Sequence, residues 1–524
     1  MRKKMIIPFV LFLCLCSSAL QAQWSILNTD KRMGTPWYLY QPFTTEQWNA
    51  SNFATKTDMK WFEDARYGMF IHFGLSTYKN AELSWETVYS IKLPDGGHGR
   101  YPDSVWTKWP QYLKFEKFNA KQWVNIAKKT GMKYIVVIAK HHEGFHLWDT
   151  KYSDFKITNT PFGRDYLKEL SDACHQAGLK FGIYYSQRDW YHPDYAPVDT
   201  SNVVLINTPP FWKLKPGHTI PMGERNQKYI DYQFNAVKEL CSNYGKVDII
   251  WFDAVWYGGM FTEEMWQSEK LTRMIRKLQP GIIINNRASI PGDFDTPEQR
   301  VDMYQQRPWE SCATLSRTWA YSNTPAKSKK QIIQLLISTA TGNGNLLLSW
   351  GPEWNGAFDK QQEERLYEVG DWLNKYGATI YGTMGGPWMP GSWGGSTRKG
   401  NKIYLHITKW ASDTIRLPMF GHNRILSAQC LTGGNVQYAV KAGNLNIYVS
   451  PSKRDSISTI VVLDTDTPVA ETISRLLNSL FSNNIYGDGL MQKAPNWEDN
   501  TTDHSFVIDC KKMTAVKRHQ YFNI

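Results

Sequence analysis

The chain has 524 residues, too long for one ordinary domain and long enough for a barrel of roughly 250–350 residues plus a smaller unit. Apolar residues at 42% and charged residues at 21% exclude a disordered chain, while 23 Trp, 28 Tyr and 23 Phe suit either an aromatic core or sugar rings, whose C–H faces stack on aromatic planes. The formal charge of +12 is diffuse, with acids among the bases in stretches such as Arg164 to Asp172, and no nucleic-acid motif accompanies it, so it reads as solvated surface.

The N-terminus, MRKKMIIPFVLFLCLCSSALQAQ, has a basic start, an apolar core from Met5 to Cys16 and a small-residue exit near Ala22, the pattern of a secretory signal peptide over residues 1–22. The protein is therefore expected to be secreted or periplasmic. No other segment approaches the ~18 uninterrupted apolar residues that a membrane span needs. Cys14 and Cys16 each follow Leu, where a lipid-attachment site has a small residue. Beyond the leader, Cys174, Cys241, Cys312, Cys430 and Cys510 are odd in number and far apart, which fits buried free thiols rather than a disulfide framework or a zinc site.

From about Trp61 to Gly382, short apolar runs alternate with amphipathic stretches. The predicted strands are Tyr67–Phe73, Lys133–Ala139, Lys180–Tyr185, Val247–Phe252, Gly281–Ile284 and Asn345–Ser349; being continuously apolar, they suit parallel strands buried on both faces. Helices are predicted at Ala120–Thr130, Arg164–Gln176, Asn226–Tyr244, Glu263–Leu278, Lys329–Ala340 and Asp359–Tyr376, several stopped by Gly. This is an α/β pattern, and it predicts a (β/α)8-like (TIM) barrel over residues 23–383. After Gly382 the segments Lys402–Lys409, Asn423–Leu431, Val436–Val440, Asn444–Val449 and Ser458–Leu463 are short and punctuated by Gly, Pro, Asn and Asp, which predicts an antiparallel β-sandwich over residues 384–466, with Gly385–Gly395 as the connection. Residues 467–524 form an extension with a helix expected near Glu471–Phe481 and a faint likeness to the start of a discoidin-like module.

Polar residues gather where the predicted strands end: His72, then His141 and His142, Tyr184, Trp251 and Asp253, and Asn285, Asn286 and Arg287. In a barrel those ends share the face on which substrates bind. Loop polarity or helix capping explains any one of them, though less readily all of them. Retaining glycoside hydrolysis needs two carboxyl groups roughly 5 Å apart. Asp253, directly after VDIIWF, is one candidate, with a helix cap as the competing reading. The partner is Glu298 in DTPEQ, which also reads as a helix start, or Glu310 in RPWES, where an aromatic neighbour would disfavour the charged form. The His141–His142 pair has no carboxylate or Cys at a metal-ligand spacing, which favours hydrogen bonding to a sugar over a metal, and nothing calls for a cofactor.

The blocks WFEDARYGMFIHFG (61–74), AKHHEGFHLWDTKYSDF (139–155), GIYYSQRDWYHPDY (182–195), DIIWFD (248–253), NNR (285–287), DTPEQR (295–300), RPWESC (307–312) and GNLLLSWGP (344–352) together resemble glycoside hydrolase family 29, the α-L-fucosidases, across about residues 60 to 400. The resemblance implies a (β/α)8-like barrel followed by a β-sandwich, double displacement without a metal, and a fucosylated oligosaccharide or glycoprotein glycan as partner. Matched block by block, it implies Asp253 as nucleophile and Glu298 as acid/base, with Glu310 the alternative. It implies a sugar site of His72, His141, His142, Tyr184, Trp251 and Arg287, with Trp319 facing the fucose methyl group and Glu82 and Trp85 in a substrate loop.

The chain departs from the family pattern at Glu143, where Asp is common, at Ala254, where Gly is common, and at SWGP (349–352), where NVGP is common. Ala254–Val255–Trp256 and Trp350 are therefore expected to reshape the leaving-group side. Two other functions remain open on sequence: a catalytically silent sugar-binding barrel, and a hydrolase acting on L-galactose or a related sugar.

Overall fold

The structure is a computed structural model describing residues 48–49, 51–87, 100–189, 191–195, 224–253, 266–301, 305, 307–388, 390–419, 423–469 and 492–493. The expected signal peptide, Ala254–Trp256, Cys510, the start of the helix expected from Glu263, and the expected helix and module of the C-terminal extension lie outside these residues.

Among the described residues, eight strands precede the C-terminal sheets: β1 (Tyr67–Ile71), β2 (Tyr134–Lys140), β3 (Lys180–Ser186), β4 (Ile249–Asp253), β5 (Ile283–Ile284), β6 (Arg300–Val301), β7 (Glu310–Thr314) and β8 (Asn345–Trp350). All but β6 form one seven-stranded sheet, ordered β5-β4-β3-β2-β1-β8-β7, with every pairing parallel. The edges of that sheet are joined by residues 293–298. Phe294 bridges Asn285 after β5, Asp295 bridges Trp309 before β7, and Glu298 bridges Cys312, all in parallel. The sheet thus curls shut as a TIM-like barrel, and the polar strand ends come to one face.

The strands form where the apolar runs predicted them, and each is buried along nearly its whole length because helices cover the outside. Those helices are α1 (Lys56–Ala65), α2 (Ala120–Lys129), α3 (Tyr166–Ala177), α4 (Glu224–Asn243), α5 (Ser268–Leu278), α6 (Lys329–Thr341) and α7 (Lys360–Tyr376). Sequence reading missed β7, whose ESCAT opens on a carboxylate and carries little apolar signal. It also missed the closing segment, and with it the position of Glu298. Thr296–Pro297–Glu298 is not a helix start: Cys312 N donates to Pro297 O at 3.1 Å and Gln299 N donates to Cys312 O at 2.9 Å, a strand-like ladder.

Among the described residues beyond α7 the chain builds two antiparallel sheets, and a short strand, Gln492–Lys493, pairs antiparallel with β6. One is five-stranded: β13 (Ile425–Cys430), β16 (Thr459–Thr465), β11 (Lys402–Ile407), β10 (Gly394–Lys399) and β9 (Met384–Gly385). The other is three-stranded: β12 (Thr414–Pro418), β15 (Asn444–Val449) and β14 (Val436–Lys441). Alternate residues of β15 turn inward, and Leu445, Ile447 and Val449 meet Ile403, Leu405, Val461 and Leu463 of the facing sheet in a separate apolar core. The expected connection Gly385–Gly395 begins and ends in strand instead. The two units are stitched by hydrogen bonds: Thr397 Oγ1 donates to Thr379 O at 2.7 Å, and Gln334 Nε2 donates to Ile457 O at 2.9 Å. Cys174, Cys241 and Cys312 are buried free thiols as expected, and Cys430 is a half-buried one.

Candidate active site

Side chains two apart on a strand share a face, so Trp251 and Asp253 of β4 both project into the barrel, as do Tyr184 and Ser186 of β3 and Phe70 and His72 along β1 and its exit. Asp253, the last residue of β4, is a nearly buried carboxylate with both oxygens engaged. Arg287 Nη1 lies 3.2 Å from Oδ1, and the Tyr184 hydroxyl donates to Oδ2 at 2.8 Å. These contacts come from the two flanking strands, Tyr184 from β3 and Arg287 from just past β5, and the backbone that a helix cap would hold, Ala254–Trp256, lies outside the described residues. The other terminal nitrogen of Arg287 donates to Glu298 Oε2 at 3.0 Å. One guanidinium therefore holds Asp253 and Glu298 side by side, its Nε and Nη2 anchored on Thr296 Oγ1 (2.9 Å) and Thr296 O (3.0 Å).

Glu310 behaves differently. As the first residue of β7 it lies inside the barrel with 0% exposure, whereas the Glu298 side chain is 29% exposed. Trp251 Nε1 donates to Glu310 Oε1 at 3.1 Å, and the Tyr134 hydroxyl donates to Oε2. Burial pushes its carboxyl up to about 7, so the expected direction of shift is present; its indole neighbour is Trp251, because Trp309 turns outward and donates to Gly342 O at 2.9 Å.

The histidines share one arrangement. Nδ1 of His72 meets Ser349 Oγ at 2.8 Å, Nδ1 of His141 meets Ser84 Oγ at 2.5 Å, and Nδ1 of His142 meets Ser186 Oγ at 2.6 Å. A hydroxyl has one hydrogen. Ser349 directs it to Trp319 O at 3.2 Å, Ser186 to Arg188 O at 3.0 Å and Ser84 to the Glu143 carboxylate. With the serine hydrogens so directed, each imidazole supplies the Nδ1–H and Nε2 is the acceptor; the Nε2 of His142 lies 3.7 Å from Asp253 Oδ2. Burial lowers all three, His72 to about 3 and His141 and His142 well below the ordinary value, which keeps the rings neutral near pH 7. His141 stacks on Tyr184 at 5.4 Å and 10°, and His72 lies 5.0 Å from Trp319, which is half-buried. Glu82 receives Leu83 N at 2.8 Å and Trp319 N at 3.1 Å, and burial followed by the nearby Glu298 charge pushes it up to about 7. Trp85 opens the short turn Trp85–Thr87, and its side chain lies outside the described residues.

Two expectations are corrected. Trp350 does not border the site: it is buried, stacked on Phe358 at 3.8 Å and edge-on to Trp123 at 4.9 Å, behind the barrel wall. The histidine pair does have a carboxylate beside it, since ligand atoms of His141, His142 and Asp253 lie within 4.8 Å of one another, a grouping that spacing along the chain conceals. Arg287 adds positive charge at that carboxylate and opposes a divalent cation there. The serines Ser84, Ser186 and Ser349 were missed altogether. Only Ser349 carried a signal, as the first residue of the departure SWGP.

Paired carboxylates at the mouth of a TIM-like barrel, ringed by neutral histidines and aromatic faces, define the class of barrel glycoside hydrolases. The family model described as Alpha-L-fucosidase matches residues 40–378. The chain is 28% identical over 385 residues to the plasma α-L-fucosidase of Homo sapiens, covering 67% of this chain and 76% of that protein. The solved structure of α-L-fucosidase isoenzyme 1 from Paenibacillus thiaminolyticus is 33% identical, with a TM-score of 0.67 over 78% of this chain and 99% of that one. A trapped covalent intermediate of a family 29 enzyme from Bacteroides thetaiotaomicron, 24% identical over 82% of this chain and 100% of that one, shares the fold with a TM-score of 0.67. The chain belongs to the α-L-fucosidases, glycoside hydrolase family 29.

Proposed function

We propose that this α-L-fucosidase is an exo-acting, retaining enzyme that removes terminal α-L-fucose from glycans by double displacement, with Asp253 as nucleophile and Glu298 as acid/base. The observation that carries the reading is the single guanidinium of Arg287 bridging Asp253 and Glu298. In the first step an oxygen of Asp253 attacks the anomeric carbon while Glu298 gives its proton to the leaving oxygen. Negative charge vanishes from Asp253 as the fucosyl ester forms and appears on Glu298, and Arg287 touches both, so its charge serves each stage without moving. Water, deprotonated by Glu298, then cleaves the ester and returns the proton.

His72, His141 and His142 present acceptors to the sugar hydroxyls, with Tyr184, Trp251 and Arg287 as the remaining walls and Trp319 as the apolar surface for the C6 methyl group. Glu82 and Trp85 line the approach. Residues 1–22 direct export and 23–383 form the catalytic unit; 384–466 form the sandwich and 467–524 an extension. Among the described residues no helix is long and apolar enough to cross a membrane, and the plasma relative supports a secreted protein.

The test is turnover of an aryl α-L-fucoside. Asp253→Ala should lose about 10³-fold or more in kcat. Glu298→Ala should be slow on poor leaving groups and partly restored by azide, giving α-L-fucosyl azide, because azide intercepts the β-linked ester on Asp253 with a second inversion. Wild-type activity in Asp253→Ala, or an unaffected Glu298→Ala beside a crippled Glu310→Ala that azide rescues, overturns the assignment.

A further inference from the structure

We propose that Glu310 is a positioning residue of the reaction: through the indole of Trp251 it fixes the guanidinium of Arg287, and with it the relative placement of Asp253 and Glu298. The proposal rests on the reading of Asp253 and Glu298 as the reacting pair.

Trp251 lies beneath Arg287, whose guanidinium carbon sits 4.5 Å from the ring centroid, a cation–π contact in a desolvated place. Two aromatic rings also lie against the indole: Phe70 at 5.2 Å and Tyr184, stacked, at 5.6 Å. They restrict its tilt but leave its rotation in plane to the one polar handle that the ring has, Nε1–H, and that handle is held by Glu310 Oε1 at 3.1 Å. Glu310 is held in turn by the Tyr134 hydroxyl, and Tyr134 is set by Gly68 on the neighbouring strand. A Cβ at Gly68 would lie 2.4–2.7 Å from three atoms of the Tyr134 ring, so the ring packs directly against bare backbone. The chain of contacts runs from the barrel floor to both reacting carboxylates without a gap.

A carboxyl is a costly residue for such a place, since its burial disfavours the charge and an apolar side chain of similar size fills the volume without that penalty. Support of stability is therefore a poor account of it. A fixed acceptor for an indole N–H is a better one, and glutamine can supply that acceptor while donating its amide hydrogens to the Tyr134 oxygen.

The experiment is steady-state kinetics on an aryl α-L-fucoside, with thermal unfolding measured in parallel, for the full-length wild type, Glu310→Gln, Glu310→Leu, Trp251→Phe and the double variant Glu310→Leu/Trp251→Phe. Glu310→Gln should stay within about threefold of wild type in kcat, while Glu310→Leu should fall about 10–100-fold in kcat with KM little changed, the usual range for loss of a supporting contact. Because Glu310 acts through the indole, the double variant should be no slower than Trp251→Phe alone. A Glu310→Leu enzyme with wild-type kcat and only a lowered Tm overturns the proposal, as do losses that multiply in the double variant. Should Glu310→Leu fail to fold, Trp251→Phe with wild-type kcat overturns it equally. Azide rescue of Glu310→Ala would make Glu310 the acid/base and overturn both readings, whereas activity retained by Asp253→Ala sinks only the underlying one.

Discussion

Serine hydroxyls meet Nδ1 of all three histidines that the proposed mechanism places around the sugar. His72, His141 and His142 stood out in the sequence because they follow apolar runs, and the fold brings all three to the barrel mouth. Their serines were illegible. Ser349 and His72 are 277 residues apart, serine is small and common, and its effect passes through one shared hydrogen. Ser186→Ala removes the hydroxyl that meets Nδ1 of His142 and frees the ring to take the other tautomer. The same buried hydroxyl also receives Arg188 N at 3.1 Å and donates to Arg188 O at 3.0 Å, so Tm should fall too. Loss of the imidazole contact is worth on the order of 1 kcal/mol, and kcat/KM per folded molecule should fall about five- to tenfold. A wild-type kcat/KM would show that the tautomer does not matter. Arg287→Lys is a harsher change, because a point charge cannot hold two carboxylates on neighbouring nitrogens. It should lower kcat by about 100-fold even though the positive charge is kept, and kinetics on the purified variant would decide.

At the scale of elements, the central strands and the outer helices were readable because continuous apolar runs and amphipathic periods are local signals. The closing segment 293–298 was not, since it makes its ladder through isolated bridges, and the acid it carries looked like a helix start. Glycine at 292 is what lets that segment approach: a Cβ there would sit 2.2 Å from the carbonyl carbon and oxygen of Asn285, where backbone cannot yield. Gly292→Ala should therefore force the segment away from β5. Overpacking of this kind costs about 1–3 kcal/mol, and because Arg287 and Glu298 flank the displaced contact, activity should fall by more than the loss of folded protein explains. A variant whose activity per folded molecule matches wild type would show that the closure does not set the site.

For the whole molecule, the change of pattern after Gly382 announced a second unit, though not its two-sheet topology, because strands such as Gly394–Lys399 are polar in sequence and buried only by their neighbours. His406 lies buried between the units, its Nε2 3.3 Å from Thr379 O, and burial lowers its pKa to about 4. In the unfolded chain the ring titrates near its ordinary value, 6.5. The folded form thus binds fewer protons between those values, so this contribution is complete above pH 6.5 and is lost as pH falls toward 4, amounting to on the order of 3 kcal/mol. In thermal unfolding from pH 7 to pH 4, His406→Gln should lose less stability than wild type; parallel curves would contradict the assignment. The central claim is that Asp253 forms a covalent fucosyl ester with Glu298 at its side. The most direct measurement is intact-mass and peptide mapping of the enzyme inactivated with a 2-fluoro-fucosyl fluoride. A single fluorofucosyl adduct on the peptide containing Asp253 is the predicted result, and an adduct on Glu298 or Glu310, or a catalytically competent enzyme that accumulates none, would contradict it.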